Sequence, residues 1–200
     1  MRVKAKVSSD KRGLRESLRE ALAAVPQRER ARASTALVLR LQQQAVWRST
    51  TSLLLFAPLR SEPDIWPLAG AALDAGKQLA LLRHECDGVH YSPRFVRDLE
   101  RDLVAGLHGI REPRAECPPV ALNQLDLLLV PGLAFDLRGH RLGRGKGVFD
   151  RLLAAASGVR VGVAFDCQIV EAVPVEPHDA RVDFVLTPTR WHEVTGRRGA

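Results

Sequence analysis

Apolar positions along the chain follow two different patterns. Over residues 9–44 they recur at helical spacing: Leu14, Leu18, Ala21, Leu22 and Val25, then Ala33, Ala36, Leu37 and Leu41. Such a repeat gathers the side chains on one face, so it predicts two helices. Ser8, Ser9 or Asp10 can cap the first, over residues 9–25. Pro26 suits the start of the second, which runs to about Gln44, because the first N–H groups of a helix have no acceptor within it. From residue 52 the pattern changes to short continuous apolar runs. Ser52–Phe56, Gln78–Leu82, Leu125–Val130 and Val159–Phe165 read as buried strands, and Asp183–Leu186 as a last short one. Asp64 caps a helix that runs to about Ala75 and stops at Gly76.

Strand, helix, strand in this order gives parallel pairing with a crossover helix. Val89–Tyr91 predicts a short strand, residues 98–106 a helix, Gly109–Pro119 a loop, and Val148–Ala156 the final helix. The expected fold is α/β: three α/β/α layers, a mainly parallel central sheet, and two N-terminal helices on one face. Residues 1–200 read as one domain, with basic tails at about 1–7 and 195–200.

Composition adds exclusions. Hydrophobic residues are 46 % and charged residues 26 %, too apolar a balance for a disordered chain. The longest apolar stretch, Leu127–Phe135, is broken by Pro131 and Gly132 and is far shorter than the roughly 20 residues of a membrane span. The opening MRVKAKVSSD lacks the apolar core of a secretory signal. Cys86, Cys117 and Cys167 are odd in number and lack CxxC spacing. They read as reduced thiols in a cytoplasmic protein, not as a disulfide framework or zinc site. Trp47, Trp66 and Trp191 read as core or edge packing.

A net charge of +7 calls for an anionic partner. A basic RNA-binding module is the weakest reading, because the arginines are dispersed and no RNA-recognition motif appears. Neither nucleic acid nor membrane is expected as a partner. With no exposed apolar stripe, the chain is expected to be a monomer.

Charge and glycine concentrate in Val130–Arg151, VPGLAFDLRGHRLGRGKGVFDR, which leaves a central strand and enters a helix. Ligands of open α/β sheets bind at such strand ends. Gly143, Gly145 and Gly147 alternate with Arg144 and Lys146, and Arg138, Arg141 and Arg151 add charge against Asp136 and Asp150. Glycines let backbone N–H groups approach a phosphate, and the helix start adds a favourable dipole. A Walker A loop is excluded, since His140 and Gly147 occupy its first and last positions. The dinucleotide fingerprint also fails, since Val148 replaces its third glycine. On spacing alone, both a phosphate-binding loop and a flexible surface hairpin remain open. His140 reads as solvent-exposed.

The motif PGLAFD-x-x-G-x-RLGRGKG-x-x-D resembles the signature of the 5-formyltetrahydrofolate cyclo-ligase, or methenyltetrahydrofolate synthetase, family. Lys11-Arg12-Gly13-Leu14-Arg15, Glu62, Gly76-Lys77, Gly109–Pro113 and Val182-Asp183 resemble further family segments, in order along the chain. The resemblance implies an ATP- and Mg²⁺-dependent ligase. ATP phosphorylates the formyl oxygen of 5-formyltetrahydrofolate, N10 attacks the activated carbon, and 5,10-methenyltetrahydrofolate, ADP and phosphate result.

The resemblance also implies site residues. Lys11, Arg12, Gly13, Leu14, Arg15, Arg141, Leu142, Gly143, Arg144, Gly145, Lys146, Gly147 and Asp150 would bind ATP. Phe56, Glu62, Val148 and Phe149 would bind the folate, with or without a polyglutamate tail. Lys146, Arg144 and Phe149 would carry catalysis, and Asp150 and Asp183 would hold Mg²⁺. One departure stands out: most members carry two tyrosines where this chain has Val148 and Phe149. A diverged paralogue that binds nucleotide or folate with little turnover is therefore the alternative.

Overall fold

A computed structural model describes residues 11–85, 90–106, 109–176 and 179–195. The proposed cap residues Ser8–Asp10, Cys86, Val89 and most of both basic tails lie outside that range. Three helices come first: α1 (Lys11–Ala23), α2 (Gln27–Gln42) and α3 (Ala45–Ser49). The sheet strands are β1 (Ser52–Leu55), β2 (Gln78–His84), β3 (Tyr91–Val96), β6 (Leu127–Pro131), β9 (Val159–Val163), β10 (Phe184–Leu186) and β11 (Trp191–Glu193). Helix α4 (Trp66–Asp74) crosses from β1 to β2, and α5 (Val148–Ala154) precedes β9. Two small ribbons, β4 (Leu103–Ala105) with β5 (Arg111–Pro113) and β7 (Ala134–Phe135) with β8 (Arg141–Leu142), complete the chain.

The seven strands lie in the order β11-β10-β9-β6-β1-β2-β3. The five inner strands are parallel and only the edges β3 and β11 are antiparallel, as a mainly parallel sheet requires. Alternation along the strands divides the core. Leu53, Leu55, Leu79, Leu81, Leu127 and Leu129 meet α2, α3 and α4 on one face. Leu54, Ala80, Leu128 and Val130 meet Leu153 of α5 and Phe135 of β7 on the other. Phe135 is fully buried against β9 and fits because residue 162 is glycine. A Cβ at Gly162 would stand 2.5 Å from the ring.

Several expectations need revision. Helix α1 does not share a sheet face with α2. Its stripe of Leu14 and Leu18 packs on Ala134, Leu142 and Val173, and Leu22 packs on Leu133 and Phe165. Residues 98–106 are not helical. Asp98 accepts the N–H groups of Glu100 and Arg101, and Asp102 those of Arg97 and Asp98. These carboxylates satisfy the backbone as a turn in place of a helix. The chain then forms β4, whose partner β5 lies inside the expected loop Gly109–Pro119. Of the short strand expected at Val89–Tyr91 only Tyr91 lies in a strand, opening β3, which runs on to Val96, and α5 ends two residues early. Trp47 is buried, and Trp191 stacks on Phe184 at 4.7 Å between centroids. Lys77 donates to the Thr50 carbonyl at 2.5 Å and lies over the Trp47 ring, so it serves the structure.

Candidate active site

The site grows out of the carboxyl end of β6. After Pro131 and Gly132 the chain forms the β7–β8 ribbon, then the glycine loop 143–147, then α5. Asp136, fully buried, anchors the ribbon's tip. Its Oδ1 accepts the backbone N–H groups of Arg138 and His140 and its Oδ2 that of Val173, at 3.0 Å each, and His140 Nδ1 lies 3.0 Å from Oδ2. Burial alone would raise the Asp136 pKa, but the hydrogen bonds from Val173 and His140 prevail and hold it below the usual carboxylate range. His140 is thus a structural partner, with its side chain 20 % exposed, rather than a free surface residue. Gly145 and Gly147 have φ of +107° and +63°, a region that suits glycine.

Two cavities flank this loop. One, of about 460 Å³, is mostly apolar. Phe56, Leu59, Leu82, Tyr91, Val148 and Phe149 line it, and Glu62, Arg144, Lys146 and Asp150 stand at the loop side. The other, of about 250 Å³, is polar and lies between the loop and α1, lined by Lys11, Arg12, Arg15, Gly145, Glu176 and Asp179 among others. Arg141, Gly143, Gly147 and Asp150 line both, so the loop is a shared wall.

Carboxylates already engage the cations here. Arg144 puts Nε and an Nη nitrogen on Oε1 of Glu62, at 3.0 and 2.9 Å. Oε2 of Glu62 accepts the Leu59 N–H at 2.9 Å. Arg141 donates to Asp150 Oδ1 at 2.6 Å and lies 5.8 Å over the Phe149 ring. Lys11 donates to Asp179 at 2.7 Å and lies 3.2 Å from Glu176. Burial works to lower the Lys11 pKa, but hydrogen bonds and charge from Asp179 and Glu176 outweigh it, and the ammonium stays above its usual range. Arg15 donates to the Gly143 carbonyl at 3.0 Å, which ties α1 to the loop.

Most of the residues expected at the site therefore meet around one loop. Phe56, Glu62, Val148 and Phe149 line the apolar cavity, and so do Arg144 and Lys146, which do not line the polar one. Arg12 reaches the polar cavity's rim with its side chain 84 % exposed. Gly13 lines neither cavity, and Leu14 turns into the packing under α1. Asp183 also lines neither. It sits opposite Arg160 at the amino end of β10 and accepts that residue's N–H at 2.8 Å. By register this is three residues, or about 10 Å, short of the level of Pro131. Sequence reasoning missed His84, Tyr91, Ile110 and Glu112 on the apolar cavity and Glu176 and Asp179 on the polar one. Glu112 belongs to the GIREP segment, so a signal for it was present.

Residues 7–188 match the 5-formyltetrahydrofolate cyclo-ligase family. The chain belongs to that family. A 5-formyltetrahydrofolate cyclo-ligase of Mycolicibacterium smegmatis is 36 % identical over 140 residues, which are 68 % of this chain and 72 % of that one. The Escherichia coli K12 5-formyltetrahydrofolate cyclo-ligase is 33 % identical over 169 residues, 76 % and 90 % of the two chains. The solution structure of Aquifex aeolicus 5,10-methenyltetrahydrofolate synthetase superposes with a TM-score of 0.84 at 32 % identity and covers 95 % of each chain. The α/β fold with its flanking helices is therefore the cyclo-ligase fold. Within the described residues no helix is long and apolar enough to cross a membrane.

Proposed function

We propose that this chain is an ATP-dependent ligase that cyclises 5-formyltetrahydrofolate to 5,10-methenyltetrahydrofolate. The observation that carries this reading is the shared loop wall between an apolar and a polar cavity. A phosphoryl transfer between two bound molecules needs two adjoining sites with the reacting atoms at their boundary. The folate lies in the apolar cavity against Phe56, Val148 and Phe149. The nucleotide's phosphates lie in the polar one, under Lys11, Arg12, Arg15 and the glycine loop.

The formyl oxygen attacks the γ-phosphorus, and the bond to ADP breaks. N10 then attacks the formyl carbon, phosphate leaves with the C–O electron pair, and N10 gives up its proton. Such a transfer asks the protein for position and charge, not for a nucleophile. Arg144 supplies a two-pronged clamp and Lys146 a point charge at the boundary. Arg144 must leave Glu62 to do so, which frees Glu62 Oε1 to accept from N10–H and hold that nitrogen.

Among the described residues no group of three His, Cys, Asp or Glu side chains could hold a metal ion. Mg²⁺ carried by the nucleotide's phosphates would need as little as one carboxylate from the protein. We assign Asp150 to it, on the wall of both cavities, because Asp183 stands at the amino end of β10. Bound there, the ion would neutralise phosphate charge.

The test follows methenyltetrahydrofolate by absorbance, with and without ATP and Mg²⁺. Product that requires ATP is the expected result. No product, with folate binding intact, would favour the second reading, a binding protein of low turnover. Val148 and Phe149 motivate that reading, because neither brings a hydroxyl to the cavity. In that case Val148→Tyr with Phe149→Tyr should restore turnover.

A further inference from the structure

Three carboxylates line the apolar cavity: Glu62, Asp150 and Glu112. Glu62 and Asp150 stand at the loop side, each held by an arginine within 3.0 Å. Glu112 differs. It lies on β5, beside Ile110, His84 and Tyr91 on the cavity wall, with its side chain only 14 % exposed. Among the described residues its nearest cation, Arg83, is 3.8 Å away, beyond hydrogen-bond distance, and donates instead to the Pro113 carbonyl at 2.6 Å. Among the described residues the backbone N–H of His84, at 3.2 Å from Oε2, is its hydrogen-bond donor. An ionised carboxylate has about four acceptor positions, and burial leaves water less able to fill the rest.

The fold makes room for this side chain. A Cβ at Gly106, the residue just past the neighbouring strand β4, would stand 2.2 Å from Glu112 Cδ. His84 and Tyr91 meet edge to face beside it, with centroids 4.9 Å apart. An apolar wall with a single under-satisfied carboxylate selects a flat ligand that presents N–H donors side by side. It also disfavours a ligand's own carboxylates, which keeps a glutamate tail away from this wall.

We propose that Glu112 is a specificity-determining residue that reads the amino-pyrimidinone edge of the substrate, accepting from N3–H and the exocyclic 2-amino group. This rests on the reading that the apolar cavity holds the folate. The substrate then spans the cavity, with its pyrimidine edge on Glu112 and its formyl group toward the loop.

The test is equilibrium binding of 5-formyltetrahydrofolate to the full chain without ATP, for wild type, Glu112→Gln and Glu112→Asp. Glutamine keeps the size but turns one acceptor into a donor, and aspartate keeps the charge but shortens the reach. Loss of a charge-assisted pair predicts binding weaker by about 10- to 100-fold for E112Q. ATP-analogue binding and the melting temperature should stay near those of wild type. A second probe is the substrate analogue with methyl in place of the 2-amino group. Wild type should reject it, and E112Q should narrow that preference, which a merely structural role would not do. Wild type that binds folate, alongside both variants binding it within about threefold and discriminating equally, overturns the assignment of Glu112 alone. Wild type that binds no folate overturns the cavity reading, and this proposal with it.

Discussion

Arg144 and Glu62 come from segments 82 residues apart, yet two nitrogens of one meet a single oxygen of the other. Glu62 is buried, so the pair is much less screened than a surface pair would be. Arg144 is the more exposed partner and sits on the loop, so it is the member proposed to leave the pair. If it clamps the transferring phosphoryl group, Arg144→Ala should lower kcat by about 10²–10³, on the scale of losing a donor to developing charge. Arg144→Lys should recover part of that, because lysine brings charge without the planar fork. Steady-state kinetics with saturating folate decide the matter. A fall of less than about fivefold would remove Arg144 from the transition state.

At the scale of elements, a carboxylate ties the amino ends of β1 and β6 together. Asp126 Oδ2 accepts Thr51 N–H, Thr51 Oγ1 and Ser52 N–H at 2.9, 2.6 and 2.9 Å. The hydrogen bonds from Thr51, then that from Ser52, lower its pKa from 3.8 to about 2. A depressed folded-state pKa stabilises above the unfolded value and is lost as pH falls through the folded one. Asp126→Ala should therefore cost about 1 kcal/mol at neutral pH, allowing for solvent screening at this exposed position. The cost should shrink between about pH 4 and pH 2. Urea titrations of both proteins across that window measure it, and a pH-independent difference would contradict it.

The elements also show what the sequence could carry. Leu53–Leu55, Leu79–Leu81 and Leu127–Val130 announce buried strands because every residue in them is apolar. Asp98 and Asp102 mislead, since their effect depends on backbone groups that only the folded turn presents. Trp191–Glu193, an edge strand of three residues, has no apolar run to read. The loop residues were legible through one contiguous motif. His84 and Tyr91 were not, because only the β2–β3 register sets them side by side.

Taken whole, the molecule puts two cavities on either side of one loop, and Arg141, Gly143, Gly147 and Asp150 belong to both. Two ligands that order the same wall should help one another, each raising the other's affinity by the same factor. A non-hydrolysable ATP analogue should tighten folate binding by about 5- to 150-fold, and folate should tighten the analogue equally. Calorimetric titrations in both orders test this, and independent binding would refute it. The protein also carries its own carboxylate partners for the cations at these cavities. Asp179 and Glu176 sit on Lys11, Asp150 on Arg141, and Glu62 on Arg144. A lone phosphate ion must compete against these resident carboxylates with few contacts of its own, whereas a nucleotide and a folate arriving together bring many. If the products bind there as proposed, the same carboxylates would reclaim their cations when the products leave. On the proposed reading, these ion pairs would act as a turnstile, excluding stray anions on the way in and hastening departure on the way out.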